Sequence, residues 1–352
     1  MRAIGIESGD DRPRLFDVAR PDPAPGEVLV RTLRVGVDGT DHEVVAGAHG
    51  GPPDGEERLV LGHEAVGVVV DPTTTAFERG DVVAPTVRRP PPDGPNEYFD
   101  RAEPDMAPPS ACVERGIDGA HGFMSEYFTS PAQFLIPVPD ELAEWGFLVE
   151  PTSVSEKALE LARASRSSFT WDPETALVLG TGPLGLITVA MLVPEMTVYC
   201  LGRRDRPDPS VDLLEALGAT YVDSRETPVT AVPDAYESVD LVYEATGHAR
   251  HAVDCVEALA PGGVAALLGL PGASAFTFDG GHFHADLVMH NKAIVGSVNA
   301  GPSHFHAAVD RLASFPPWFF EDYVTEIAPV EGFEAAFDPD TPMKTAVEFD
   351  TL

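Results

Sequence analysis

A chain of 352 residues outgrows one ordinary core and suits two domains that share a cleft. Its 57 acidic against 23 basic residues leave a formal charge of −34, which repels phosphate backbones and anionic lipids and so argues against nucleic acid and membrane surfaces as partners. Hydrophobic residues make up 43 % of the chain and are spread evenly, with no long acidic block, which argues against an acidic disordered protein.

Only Lys157, Lys292 and Lys344 are lysines, so the surface is a dense carboxylate shell. Such a shell is tolerated where multimolar salt shrinks the Debye length to about 3 Å or less, and a halophilic cytosol is the expected setting. Met1-Arg2-Ala3-Ile4-Gly5-Ile6-Glu7 carries no signal pattern, and no apolar stretch reaches ~18 residues, so a cytoplasmic protein is expected. Cys112, Cys200 and Cys255 are far apart and offer neither a disulfide framework nor a four-cysteine zinc site.

Up to about residue 150, short apolar runs at 27–30, 59–70, 81–87 and 124–128 are punctuated by Pro and Gly and predict a small β-rich domain. The Pro-, Asp- and Gly-rich stretch 88–122 has no clear period in its first two thirds and predicts a long loop or lobe. A helix is expected over 153–165, with Val154, Ala158, Leu161 and Ala162 on its apolar face. The texture then changes. Apolar strands at 176–179, 198–201, 240–243 and 264–268 alternate with helical stretches at 211–217 and 251–260, which predicts a parallel sheet wrapped by helices, a Rossmann domain. Past about residue 300 come a helix at 305–313, the aromatic Trp318-Phe319-Phe320 and a last strand at 345–349.

Gly180-Thr181-Gly182-Pro183-Leu184-Gly185 is a complete G-x-G-x-x-G between an apolar strand and the apolar run 186–192. The first glycine allows the tight turn, the second lets backbone approach a pyrophosphate, and the third lets helix pack on strand. The phosphates would rest on the helix N-terminus. An NAD enzyme carries an acid about 20 residues further on. Here the next strand ends in Gly202-Arg203-Arg204-Asp205-Arg206. The guanidinium forks of Arg203 and Arg204 match a 2′-phosphate and predict NADP, while Asp205 leaves NAD open.

The first domain contains Pro23-Ala24-Pro25-Gly26-Glu27-Val28, Gly36-Val37-Asp38-Gly39-Thr40-Asp41, Gly62-His63-Glu64-Ala65-Val66-Gly67 and Gly80-Asp81-Val82-Val83. With Gly122-Phe123-Met124-Ser125-Glu126-Tyr127, Glu150-Pro151 and Glu244-Ala245-Thr246-Gly247, the whole chain resembles the zinc-containing medium-chain alcohol dehydrogenases, and within them the archaeal glucose dehydrogenases. The resemblance implies a catalytic domain of residues 1–150 with 301–352, and a dinucleotide domain of 151–300. It implies one catalytic zinc on Asp38, His63 and Glu150, with Glu64 in the outer shell. Most relatives have cysteine at the position of Asp38, but zinc also accepts N and O ligands at about 2.0–2.2 Å. A structural zinc would need clustered cysteines where this chain has only Cys112, so none is expected.

The resemblance further implies that Thr40 receives the substrate proton, that Glu114, Asn299 and Glu150 face the sugar, and that Thr246, Gly269, Leu270, Ser297 and Val298 meet the dinucleotide. The implied reaction is oxidation of glucose or another aldose at C1 to the aldonolactone, with metal and cofactor facing each other across the cleft. A homodimer or homotetramer is expected, paired through an edge strand at 293–298. Alternatives are an alcohol or polyol dehydrogenase, a zinc-free quinone reductase, and a non-catalytic NADP-binding protein. A substrate panel with and without chelator separates them.

Overall fold

The strand expected at 27–30 runs from Glu27 to Val37, because Thr32, Leu33, Val35 and Val37 go on burying side chains past the two arginines Arg31 and Arg34. In the computed structural model, which describes residues 1–7, 9–340 and 343–352, this strand is central to the first of two compact units. The units are Met1–Ser153 with Asn299–Leu352, and Val154–Val298.

In the first unit the main sheet runs Leu135–Pro137, Val82–Pro85, Glu64–Asp71, Glu27–Val37, Lys344–Glu348, Val324–Pro329, and Tyr127–Pro131 also pairs with Glu27–Val37. The apolar run expected as one strand over 59–70 is two strands, Arg58–Val60 and Glu64–Asp71, in different sheets. The break falls at Gly62, whose φ of +85° reverses the chain and leaves His63 in the bend. The strand expected at 124–128 starts later, at Tyr127, and ends at Pro131. In the tail, the helix Pro302–Ala313 buries Phe305, Ala308, Val309 and Leu312, one stripe at helical spacing, and Lys344–Glu348 inserts beside Glu27–Val37.

The stretch 88–122 is more ordered than its composition predicts. It forms a three-stranded sheet of Arg88–Arg89, Val113–Arg115 and Gly119–Ala120, with the short helix Glu97–Asp100 and two 3-10 turns between. Polar anchors replace hydrophobic periodicity here: Arg88 and Arg89 are buried at 6 % and 7 % exposure, and both donate to backbone carbonyls.

The second unit is a parallel sheet in the order Thr220–Asp223, Thr197–Gly202, Thr175–Leu179, Val239–Glu244, Leu259–Leu267, Ala293–Gly296. This 3-2-1-4-5-6 order belongs to a dinucleotide-binding fold. The helix expected over 251–260 ends at Ala258, where the chain turns directly into the strand Leu259–Leu267. The helix expected from 153 begins earlier, at Val149, and takes Glu150 and Pro151 into its first turn, where a missing N–H costs nothing. Among the described residues no helix is long and apolar enough to cross a membrane.

Candidate metal and dinucleotide sites

Asp38 follows the central strand and caps the helix Gly39–Val45. Its Oδ1 accepts from the backbone N–H of Asp41 and the Asp41 carboxylate accepts from the N–H of Asp38, both at 3.1 Å, a reciprocal capping box that fixes both side chains. The Thr40 hydroxyl donates to Asp38 Oδ2 at 3.2 Å. Across from this turn stands His63, 4 % exposed, with Nε2 3.6 Å from Asp38 Oδ2 and Nδ1 3.8 Å from Asp41 Oδ1. Glu64 opens the next strand, and its carboxylate pairs with Lys344, which also donates to the Val37 carbonyl at 3.0 Å. Both partners are 1 % exposed.

Ligand atoms of Asp38, Asp41 and His63 lie within 4.8 Å of one another, as do those of His63, Glu64 and Glu150. The two groups share His63, so the three residues expected to hold zinc come together around one imidazole. Burial, reinforced by Glu64 and Asp38, pushes Glu150 up to about 8 against the pull of His63. Burial likewise raises Asp41 to about 7, where the pull of His63 is opposed by Asp38 and Glu64. Burial lowers His63, but Asp38, Asp41 and Glu150 outweigh it and hold the imidazole well above its usual range.

These residues fit a divalent cation. Asp41 Oδ1 and His63 Nδ1 are buried without a hydrogen-bond partner. The 3.6 Å between His63 Nε2 and Asp38 Oδ2 is too long for a hydrogen bond, yet near the roughly 3.3 Å that separates two ligands of a tetrahedral ion. Three buried carboxylates, those of Asp41, Glu64 and Glu150, with the partly exposed Asp38, around one imidazole and one ammonium also leave excess negative charge for a cation to balance.

In the second unit each glycine of the Gly180–Gly185 turn has a distinct reason. Gly180 has φ +119°, and a Cβ on Gly185 would lie 2.0 Å from the Gly180 carbonyl oxygen, so neither tolerates a side chain. A Cβ on Gly182 would meet no protein atom within 4 Å, which leaves that backbone face clear for a phosphate at the N-terminus of Pro183–Leu192. Leu184 follows in that helix's first turn. At the end of the next strand, Arg204 donates through Nε to Thr181 Oγ1 at 3.2 Å and Arg203 is exposed. Asp205, the acid that left NAD open, is paired with Arg225 at 2.7 Å.

Thr246 donates its N–H to Glu244 Oε1 at 2.8 Å, and the Gly269–Leu270 segment packs on Gly247, where a Cβ on Gly269 would stand 2.0 Å from the Gly247 nitrogen. Ser297 is 8 % exposed with an unpartnered hydroxyl, and the carbonyl of exposed Val298 accepts from Lys157 at 2.9 Å. In the first unit, Asn299 has φ +57° and donates to Glu114 at 3.0 Å, so two of the three residues expected to face the sugar touch each other.

Residues 24–140 match the alcohol dehydrogenase GroES-like domain, and residues 143–349 match the glucose dehydrogenase C-terminus. The chain belongs to the glucose dehydrogenase family. It is 60 % identical, over the whole of both chains, to the glucose 1-dehydrogenases of Haloferax mediterranei and Halobacterium salinarum. It superposes with a TM-score of 0.98, over the whole of both chains, on Haloferax mediterranei glucose dehydrogenase in complex with NADP, Zn and gluconolactone. A D38C mutant of that enzyme superposes equally well, at 0.98. The 2R,3R-butanediol dehydrogenase of Bacillus subtilis, 22 % identical with a TM-score of 0.81, shares the fold.

Two members of this family site were missed by sequence reasoning. Asp41 was visible as the second acid of Asp38-Gly39-Thr40-Asp41, a spacing that signals a capping box. Lys344 had no local signal, because its partners Val37 and Glu64 are brought to it only when the tail strand inserts into the sheet.

Proposed function

We propose that this chain is a zinc-dependent glucose 1-dehydrogenase that moves hydride from C1 of the sugar to NADP and yields the aldonolactone. The observation that carries this reading is its likeness along the whole chain, at 60 % identity and a TM-score of 0.98, to an enzyme solved with NADP, Zn and gluconolactone.

Asp38, His63 and Glu150 hold the zinc, and Glu64, neutralised by Lys344, tunes its surroundings. When bound, the ion supplies Lewis acidity at the C1 hydroxyl and the dinucleotide supplies the hydride acceptor. The Thr40 hydroxyl relays the C1 hydroxyl proton as C1 is oxidised, accepting it while its own hydrogen passes along the existing bond to Asp38 Oδ2. Glu114 and Asn299 accept and donate to other hydroxyls of the sugar, with Glu150 beside them as metal ligand and substrate contact. A simple alcohol would leave those polar groups unpaired, which favours a sugar.

The backbone of Gly180, Gly182, Pro183, Leu184 and Gly185 cradles the pyrophosphate, and Thr181, Arg203 and Arg204 meet the adenosine end, with the arginines on the 2′-phosphate. Thr246, Gly269, Leu270, Ser297 and Val298 line the path toward the nicotinamide. One zinc per chain is proposed: Cys112 Sγ donates to the Pro108 carbonyl at 3.6 Å, and it belongs to neither of the metal-holding donor clusters among the described residues. A dimer is proposed through Ala293–Gly296, the last strand of its sheet, near which Val288, Met289 and Val298 are 61 %, 74 % and 51 % exposed. The high-salt cytosol follows from the charge of −34.

Initial rates with NADP in about 2–3 M salt, where screening is near complete, test the reading against glucose, other aldoses, polyols and simple alcohols before and after chelation. A glucose-dependent rate that chelator abolishes and zinc restores is expected. Activity that survives thorough chelation would overturn the zinc assignment, and chelator-sensitive activity on alcohols alone would overturn the sugar.

A further inference from the structure

Glu114 meets two donors with one oxygen. Its Oε1 accepts from Arg88 Nε at 2.9 Å and from Asn299 Nδ2 at 3.0 Å, while Oε2 has no hydrogen bond among the described residues. The Glu114 side chain is 18 % exposed and that of Arg88 6 %. One oxygen is therefore committed to the protein, and the other is left to accept a hydrogen bond from a ligand hydroxyl.

Arg88 is itself held through its Nε and Nη1. It pairs with Glu114 across the small antiparallel sheet. Its Nη1 donates to the carbonyls of Asp105 and Ala107, both at 2.9 Å. A buried guanidinium is tolerated only when its donors are engaged, and here a planar fork spans a carboxylate on one side and two carbonyls of the 104–107 turn on the other. That turn also reaches the segment after Asn299: a Cβ on Gly301 would lie 2.5 Å from Asp105 Oδ1. Asn299 is locked by its left-handed backbone and by the bond from Ala300 N–H to its Oδ1 at 2.9 Å. One side chain thus joins the carboxylate of Glu114 to the turn that packs beside Asn299.

We propose that Arg88 is a positioning residue for sugar recognition, fixing which oxygen of Glu114 faces the substrate. This rests on the reading that Glu114 binds a sugar hydroxyl. Arg88 touches neither sugar nor dinucleotide. Its effect appears in the glucose KM, since the geometry it sets belongs to binding and not to the hydride step.

The test compares R88K, R88Q, E114Q and R88K/E114Q as zinc-loaded full-length enzymes in high salt. The readouts are glucose KM, kcat, and NADPH binding by fluorescence. A displaced charge-assisted bond is expected to raise the glucose KM about tenfold in R88K and further in R88Q. NADPH affinity should stay within about twofold, and kcat within about threefold, because ground-state binding alone is affected. R88K/E114Q should have the KM of E114Q, since Arg88 acts through that carboxylate. A raised KM in E114Q with a normal KM in R88K overturns the positioning role alone, as does additivity in the double variant. Failure of both Arg88 variants to fold or to bind NADPH also overturns it, leaving Arg88 as a folding anchor. A normal KM in E114Q instead removes the sugar role of Glu114, and with it the ground for the positioning role.

Discussion

Glu64 occupies the space that a side chain on Gly36 would fill. The two residues pair across the central strands, and a Cβ on Gly36 would stand 2.1 Å from Glu64 Oε2 and 3.1 Å from both Lys344 Cε and Phe147 Cδ2. The carboxylate cannot swing aside, because it is buried and bound to Lys344. Gly36→Ala should therefore cost about 1–3 kcal/mol of stability through overpacking and strain the Glu64–Lys344 pair beside the proposed zinc ligands. Thermal unfolding and bound-zinc content check this together, and an unchanged melting temperature would refute it.

Asp41 acts through His63. Its unpartnered Oδ1 faces Nδ1 at 3.8 Å, beyond hydrogen-bond reach in the metal-free chain, and a closer approach on zinc binding would let it set the tautomer and orientation of the imidazole. Asp41→Asn should weaken zinc binding by about 10- to 100-fold, the usual loss for such a partner. Circular dichroism should stay unchanged. Competition with a chromophoric chelator measures the affinity, and wild-type affinity in the variant would exclude the role.

Zinc uptake should depend on pH in a definite direction. Burial and neighbouring carboxylates push Glu150 up to about 8, so below that pH the metal-free protein keeps a proton on a proposed ligand. The same raised value means that Glu150 favours the metal-free fold at low pH, a contribution lost as pH rises from the unfolded value of 4.5 through about 8. Zinc must expel the proton, so its affinity should fall as pH drops below about 8 and protons should be released on binding. Calorimetry in two buffers of different ionisation enthalpy counts them. An affinity flat across about pH 6–8 would contradict the assignment of Glu150 as a ligand.

The proposed preference for NADP is assigned to two arginines. Arg203 is exposed beside Arg204, and Asp205 is drawn off by Arg225 at 2.7 Å. R203Q/R204Q should raise the KM for NADP by about 10- to 100-fold, the worth of one or two charge-assisted bonds, and leave the KM for NAD little changed. If both rise in parallel, the arginines support the fold of the turn and not the 2′-phosphate.

What could be read in the sequence was local. The Gly180–Gly185 turn was legible because strand, glycines and helix follow one another within a few residues; Gly180 and Gly185 prove to be required by the chain's own geometry, while Gly182 leaves an open face. His63, Glu64 and Glu150 were legible because they stand inside compact motifs. Lys344 was not, since the bond from its ammonium to Val37 spans 307 residues and exists only after the last strand has docked. The order in 88–122 was hidden for a related reason: its anchors are arginine-to-carbonyl bonds, which leave no hydrophobic period. Gly62 was read as part of a metal motif and not as the reversal that splits one apolar run between two sheets.

Every lysine of this chain faces inward. Lys157 donates to the Val298 carbonyl at 2.9 Å, Lys292 to that of Val256 at 2.8 Å, and Lys344 to that of Val37 at 3.0 Å. Lys157 is 4 % exposed as a residue, and the side chains of Lys292 and Lys344 are 6 % and 1 % exposed. Reagents and enzymes that acylate amines thus meet a surface on which no lysine ammonium stands free. A dye or linker bearing an activated ester would find these lysines shielded and react with them slowly while the chain stays folded.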